Sequence, residues 1–169
     1  MKFISAQKIR RTIKIKGLIN EIEKTYRNDS FVPLRQVYNI IPQNNEAQLM
    51  VMPAFSIDGY YGVKLLNVFP NNPSFGLPRV KALYVLYEQK NGEIKLILDG
   101  TEITKQRTAA MSAIASKFLS KKNSKILLVI GTGALVSYMI NAHCSVRPIE
   151  NILIWGRNIN KVKNIVKMY

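Results

Sequence analysis

The residues of this chain with the clearest chemical potential are two glycines and four cations. Gly131-Thr132-Gly133 follows the apolar run Ile126-Leu127-Leu128-Val129-Ile130 and leads into a second apolar stretch. A strand that enters a Gly-x-Gly turn and continues as a helix is a way of holding a dinucleotide pyrophosphate. The first glycine makes the tight turn, and the second lets a phosphate approach the backbone. The helix N-terminus adds amide donors and partial positive charge. Val136 occupies the third position of that fingerprint. After the next apolar run the chain reads Gly156-Arg157-Asn158. A carboxylate there would accept from the ribose 2′-hydroxyl of NAD. None is present, and Arg157 offers a partner for the 2′-phosphate of NADP instead. A solvated arginine after a strand gives the same sequence.

The other cations are Arg35, Lys64 and Arg107. Lys64 stands inside the apolar stretch Gly62-Val63-Lys64-Leu65. It reads either as a carboxylate anchor facing a cleft or as a lysine on the solvent face of a half-buried strand. Arg35, after Pro33, has the same two readings. Arg107 and Thr108 fall near the start of a predicted helix, where the dipole disfavours a cation. An anion bound nearby would explain them, and a surface arginine fits the spacing equally. His143 and Cys144 are adjacent at a predicted helix end. That invites a nucleophile–base reading, although a helix-end histidine and a buried cysteine are common structural choices. Tyr60, Tyr61, Phe69 and Phe75 read as core and dimer contacts rather than base-stacking platforms.

Composition narrows the partners. The 169 residues are 47% hydrophobic, which fits a globular chain and excludes a disordered one. There are 25 Lys and Arg against 10 Asp and Glu, a net charge of +15. Such an excess can serve nucleic acid or an anionic membrane. Here the lysines are spread along the chain without a nucleic-acid-binding motif, so a solvated basic surface is the reading. One cysteine excludes an internal disulfide, and with one histidine it leaves little for a zinc site. The start, MKFISAQKIRRTIKIKG, lacks the apolar core of a secretory signal. No apolar run approaches the roughly 20 residues that span a bilayer. The expectation is a soluble, cytoplasmic protein without metal.

These residues must be positioned by a definite order of elements. Residues 18–26 have helical apolar spacing, and 31–38 read as a strand entered through Pro33. Short strands are expected at 49–52, closed by Pro53, and at 60–68. A Pro- and Asn-rich loop covers 70–78. Strands at 80–88 and 94–98 are joined through Asn91-Gly92, a hairpin-type turn. Thr104 reads as the N-cap of a helix ending near residue 119. The polar stretch Ser120-Lys121-Lys122-Asn123-Ser124 is the domain boundary. Residues 126–130 are a continuous apolar strand of the kind buried on both faces of a parallel sheet. A helix over 134–143, a strand over 151–155 and a last helix from about Asn160 complete the pattern. The fold class is α/β. An antiparallel α+β domain over 1–119, serving substrate binding and dimerisation, precedes an incomplete Rossmann βαβ unit over 120–169.

Several motifs together resemble the ornithine cyclodeaminase/mu-crystallin family, over nearly the whole chain from Pro33 onward. They are Val32-Pro33-Leu34-Arg35, Met52-Pro53-Ala54-Phe55, Gly62-Val63-Lys64 and Gly76-Leu77-Pro78. Above all there is Leu98-Asp99-Gly100 running through to Thr104-Lys105-Gln106-Arg107-Thr108-Ala109-Ala110. The resemblance implies that Arg35 and Lys64 hold a substrate carboxylate and that Arg107 lies between substrate and cofactor. Arg79, Arg107, Thr108, Gly131, Gly133, Ala134, Leu135 and Arg157 fall at its cofactor positions. Two of these depart from the family pattern: Arg79 stands where Thr is usual, and Leu135 where Gln is usual. The implied cofactor is NAD or NADP, with NADP favoured by Arg157. The implied chemistry is hydride transfer at a carbon bearing nitrogen. That covers cyclisation of L-ornithine to L-proline with loss of ammonia, or a related imine reduction, in a homodimer acting on a small amino or imino acid. The family's acid/base aspartate would fall beyond Tyr169. The chain as it stands is therefore expected to have little or no activity. A non-catalytic dimerisation or ligand-binding remnant of the family is the alternative expectation.

Overall fold

In a computed structural model of the chain, residues 2–27, 31–40 and 47–169 can be described. Two compact units emerge. One is Met1–Thr12 with Thr25–Thr104, and the other is Ile13–Lys24 with Lys105–Tyr169. The division by compactness thus falls at residues 104/105, whereas the sequence placed a boundary at the polar stretch after residue 119.

The first unit is a six-stranded sheet in the order β1-β6-β5-β4-β3-β2. Its strands are β1 (Lys2–Ile4), β2 (Gln36–Asn39), β3 (Gln48–Phe55), β4 (Tyr60–Val68), β5 (Val80–Glu88) and β6 (Ile94–Asp99). All pairings are antiparallel except β1 with β6, which is parallel. The helix α1 (Ala6–Thr12) packs on β6. Alternation along β4 buries Gly62, Lys64 and Leu66 on one face. In register with them on that face are Met52 and Ala54 of β3 and Ala82, Tyr84 and Leu86 of β5.

Pro53 does not close β3, which continues to Phe55. Phe55 exchanges both backbone hydrogen bonds with Phe31, on the side away from β4. Two residues earlier, Pro53 turns the same way, beyond the last β2 pairing at Val51, so its missing N–H breaks no ladder bond. The expected strand over 31–38 is likewise shorter. It is a single bridge at Phe31 followed by β2 at Gln36–Asn39. The turn at Asn91-Gly92 is present, with Gly92 at φ 72°.

The helix α3 (Gly100–Leu119) begins four residues before the expected cap. Asp99 is the residue that starts it: its carboxylate accepts from Glu102 N–H at 2.8 Å. Thr104 lies inside the helix and donates to Gly100 O at 2.6 Å. A Cβ on Gly100 would stand 2.7 Å from the Leu83 backbone, so only glycine permits this crossing of α3 over β5.

In the second unit α2 (Ile15–Tyr26), α3 and α4 (Val136–Cys144) form the core. Ala109, Ala110 and Ala113 are fully buried against Ile19, Ile114 and Ala142. Their small side chains let the helices approach closely. The strands β7 (Ile126–Ile130) and β8 (Asn151–Trp155) pair in parallel, and α5 (Ile159–Val166) follows. This β7–α4–β8 crossover is the expected partial Rossmann unit. The expectation of two-sided burial is corrected: Ile126, Leu128 and Ile130 are 63%, 57% and 72% exposed. Leu153 and Trp155 share that face, and the helices of the unit cover only the other. No helix among the described residues is long and apolar enough to cross a membrane.

Candidate functional site

Lys64 is the residue whose placement decides most in the first unit. It is only 8% exposed, at the centre of β4 and on the buried face of the sheet. The solvent-face reading is thereby removed. A buried ammonium must be compensated by a partner or a ligand anion, and Lys64 does make an interaction within the chain. Arg35 stands immediately before β2 and is exposed. Gln36 pairs with Val51 and Met52 pairs with Lys64, so Arg35 falls on the register line of Met52 and Lys64. Two strand spacings separate the Arg35 and Lys64 backbones, roughly 10 Å. Two long cations can converge on one carboxylate across that span.

Beyond the Lys64 register line lies a cavity of about 170 Å³. Gly62, Ala54, Tyr84 and Leu86 form its wall on the Lys64 face, and Thr25 and Ser56 add hydroxyls. Tyr84 is directly opposite Lys64 in register. Its ring leans over Gly62, where any Cβ would overlap the phenol oxygen. Burial pushes the Tyr84 hydroxyl above the usual phenol range, so it stays protonated.

Arg79 lies one residue before β5, and its carbonyl accepts from Phe69 N–H at 2.8 Å. Its side chain is exposed at a separate cavity of about 240 Å³, shared with Asn67 and Lys81. Asn72 shapes the adjoining turn by donating from Nδ2 to Pro78 O at 2.9 Å.

In the second unit Arg107 is the eighth residue of α3, two turns from its start. The helix-dipole argument for an anion at Arg107 is therefore withdrawn. The side chain is exposed, with no ion pair among the described residues. Thr108 is half-buried beside it, and Ala109 and Ala110 point into the core. The motif thus puts the guanidinium outward and the alanines inward on one helix.

The glycine turn has the geometry its sequence implied. Gly131 adopts φ 127°, a conformation reserved for glycine, and its N–H donates to Trp155 O at 2.7 Å. Gly133 has open space where a Cβ would stand. Ala134 is exposed, and Leu135 is the N-cap of α4 without a side-chain cap bond. Backbone donors there face no competing side chain. At the ends of β7 and β8 a cavity of about 250 Å³ is lined by Gly131, Thr132, Gly156, Arg157 and Lys161. A Cβ on Gly156 would come within 2.6 Å of Thr132 Cγ2, so the two loops require glycine here. Asn158 caps α5, its Oδ1 accepting from Lys161 N–H at 3.1 Å. Lys161 was not singled out from the sequence. Its spacing of four from Arg157, across a helix start, was the available signal.

His143 and Cys144 do not form an activated pair. His143 Nε2 lies 3.1 Å from Ser112 Oγ, and burial lowers its affinity for a proton. Cys144 is exposed rather than buried as expected, and partial desolvation raises its thiol, the opposite of what a nucleophile needs.

The β7–α4–β8 unit with its glycine turn is a partial Rossmann-like fold. The ornithine cyclodeaminase/mu-crystallin family profile matches residues 1–169, and the chain belongs to that family. A Delta(1)-pyrroline-2-carboxylate reductase of Colwellia psychrerythraea is 36% identical over 169 residues, covering 98% of this chain and 53% of the relative. The structure of Thermococcus litoralis Delta(1)-pyrroline-2-carboxylate reductase with NADH and L-proline matches with TM-score 0.91 and 31% identity, covering 99% of this chain and 53% of that one. An archaeal alanine dehydrogenase dimer with bound NAD matches with TM-score 0.90 and 27% identity, covering 99% of this chain and 52% of that one. The chain thus spans about half the length of the relatives it matches.

Proposed function

We propose that this chain carries the carboxylate clamp and the dinucleotide cradle of an NAD(P)-dependent enzyme that reduces a small cyclic imino acid. Cyclisation of L-ornithine is the family's other route. The observation that carries the reading is Lys64, a buried ammonium in the middle of a sheet and in line with Arg35. The similarity to two Delta(1)-pyrroline-2-carboxylate reductases supports an imine substrate. In this reading Lys64 and Arg35 neutralise the substrate carboxylate and orient the imine carbon. Arg107 keeps the role of a further anion partner that the family resemblance implies for it.

The described residues fit a nicotinamide dinucleotide. In this reading Gly131, Gly133, Ala134 and Leu135 would offer backbone amides to a pyrophosphate, and Arg157, which lines the cavity at the ends of β7 and β8, would meet a 2′-phosphate. When bound, the nicotinamide supplies the hydride for the imine carbon. With no carboxylate among the described residues that line that cavity, NADP is the favoured form. Arg79 and Thr108 complete the proposed cofactor contacts.

A homodimer through the first unit is part of the reading. On the sheet face opposite Lys64, Phe31, Phe55, Tyr61 and Tyr87 form a row of rings with centroids 4.8–5.8 Å apart. Light scattering tests the dimer.

The experiment for the whole proposal is calorimetry with NADP, NAD and pyrrole-2-carboxylate, a planar analogue of the cyclic imine, alongside an assay of imine reduction. Binding of both ligands, with the carboxylate lost in Lys64→Ala, is the expected result. A dimer that binds no dinucleotide would point to the non-catalytic remnant instead.

A further inference from the structure

We infer that Asn91 is a site of self-modification: the turn between β5 and β6 converts its side-chain amide, with water as the co-reactant, into aspartate and isoaspartate. Asn91-Gly92 is the one Asn-Gly step in the sequence. The hairpin it forms is closed by Glu88 N–H, which donates to Glu93 O at 2.9 Å, and Gly92 adopts φ 72°. Asn91 and Gly92 are both exposed, so water reaches them.

The hydrogen bonds of the turn favour the reaction. Asn91 Oδ1 accepts from Glu93 N–H at 3.1 Å. The ring of atoms that this bond closes contains the Gly92 backbone nitrogen, so Asn91 Cγ is held close to that nitrogen. The oxygen that takes up negative charge when Cγ is attacked is thus already bonded to a donor, as in an oxyanion hole. Gly92 has no side chain to shield its nitrogen. One restraint acts the other way: Gly92 N–H donates to Glu88 O at 2.9 Å and must first be released. That bond is neutral and sits at an exposed hairpin tip. The bond from Glu93 becomes charge-assisted as the attack proceeds, and such bonds are about twice as strong as neutral ones.

The chemistry balances with water alone. The Gly92 nitrogen attacks Asn91 Cγ, so the N–Cγ bond forms and the Cγ–Nδ2 bond breaks. Ammonia leaves with the Gly92 amide proton, and a succinimide remains. Water then opens that ring at either carbonyl and returns a proton to the nitrogen. Opening at the side-chain carbonyl gives aspartate, and opening at the main-chain carbonyl gives isoaspartate. Either product adds a carboxylate to a turn whose Glu88 and Glu93 already share Lys95, at 3.2 and 2.9 Å. Isoaspartate also routes the main chain through the former side chain, which lengthens a turn whose ends the Glu88–Glu93 bond holds.

Ageing the full chain in mildly alkaline buffer, followed by peptide mapping and an enzymatic assay for isoaspartate, tests this. The peptide carrying residue 91 should gain the mass of an amide-to-acid exchange ahead of every other asparagine-containing peptide, and should contain isoaspartate. The folded chain should convert at least as fast as the same chain in guanidinium. Asn91→Gln, whose ring closure is larger and slower, should show no conversion over the same period. Gly92→Ala places a methyl group beside the attacking nitrogen and should slow conversion about tenfold, a barrier higher by about 1.4 kcal/mol. Its Cβ would stand 3.8 Å from Tyr61 Oη, an ordinary contact, so the turn has room for it. Another asparagine converting before residue 91 overturns the inference. A folded chain that converts more slowly than the unfolded one also overturns it, because the turn then protects the amide.

Discussion

The Asp99 carboxylate accepts a hydrogen bond from the backbone N–H of Glu102 at 2.8 Å, and so fixes where α3 begins. Glu102 itself is 1% exposed and is held by Arg10 of α1 at 2.6 Å. One short segment therefore starts the helix and ties it to α1. Asp99→Ala is expected to cost about 0.5–2 kcal/mol, the usual range for a lost N-cap. Asp99→Asn should recover most of it. Urea unfolding gives the magnitude, and hydrogen exchange at Glu102 locates it. An unprotected Glu102 amide in wild type would remove the cap from the explanation.

The end of the same helix depends on a residue 27 positions beyond Ser120. Arg147 donates through Nη2 to the carbonyls of Ser116, Lys117 and Ser120 at 3.0, 2.6 and 3.0 Å. Its Nε reaches Ser120 Oγ at 2.9 Å. Ser116 O also accepts from the Ser120 N–H at 2.9 Å and the Ser120 hydroxyl at 2.7 Å, while Arg147 serves carbonyls at a helix end, where i+4 donors run out. Arg147→Ala should destabilise by about 1.5–3 kcal/mol, the range for hydrogen bonds to a charged group. Lysine cannot span the same fork of acceptors, so Arg147→Lys should rescue little. Equal stability of the lysine variant and wild type would show that charge alone suffices.

His143 gives the fold a dependence on acid. Its ring is partly desolvated beside Ser112, and its folded-state pKa lies below the ordinary 6.5. As pH falls, the unfolded chain takes up this proton before the folded one does. Stability is therefore complete above about 6.5 and declines as pH drops below it. Carboxylates titrate lower, which leaves pH 5–6.5 as the window to inspect. Tm of wild type should fall across it, and His143→Gln should flatten the curve. A wild-type curve already flat there would refute the assignment.

What could be read from the residues, and what could not, follows the range of each interaction. Alternation placed β4 and β5 at 60–68 and 80–88 because both strands carry a local period of two. The start of α3 was legible as well, in Asp99-Gly100-Thr101-Glu102, an acidic N-cap followed three residues later by Glu. The reading placed the cap at Thr104 instead, a residue that lies inside the helix. Pro53 was read by its local rule, which holds only where a neighbouring strand needs its N–H, and β2 ends before it. β7 shows the reverse case. Five consecutive apolar residues state that burial is wanted, yet alternate ones stand exposed beside Leu153 and Trp155. The burial of Lys64 could not be settled in advance, because it comes from the position of β4 between β3 and β5, which only the folded sheet supplies.

The cavity at the ends of β7 and β8 yields a prediction about the cofactor. Arg157 and Lys161 both line it, and neither has an acidic partner among the described residues. Asn158 holds Lys161 in the first turn of α5 through its backbone. A 2′-phosphate placed there would meet two cations, and each charge-assisted contact contributes about 1.5–3 kcal/mol. The two ligands to compare are 2′,5′-ADP and 5′-AMP, which differ at the 2′ position and need no catalysis. Wild type should prefer 2′,5′-ADP. Arg157→Ala and Lys161→Ala should each weaken it about tenfold or more and leave 5′-AMP nearly unchanged. The preference should also shrink as salt rises, since both cations are exposed. Equal affinity of wild type for the two ligands would turn the cofactor assignment from NADP to NAD. The pyrophosphate turn tests separately. Gly131 sits at φ 127°, so Gly131→Val should strain the turn and weaken both ligands together.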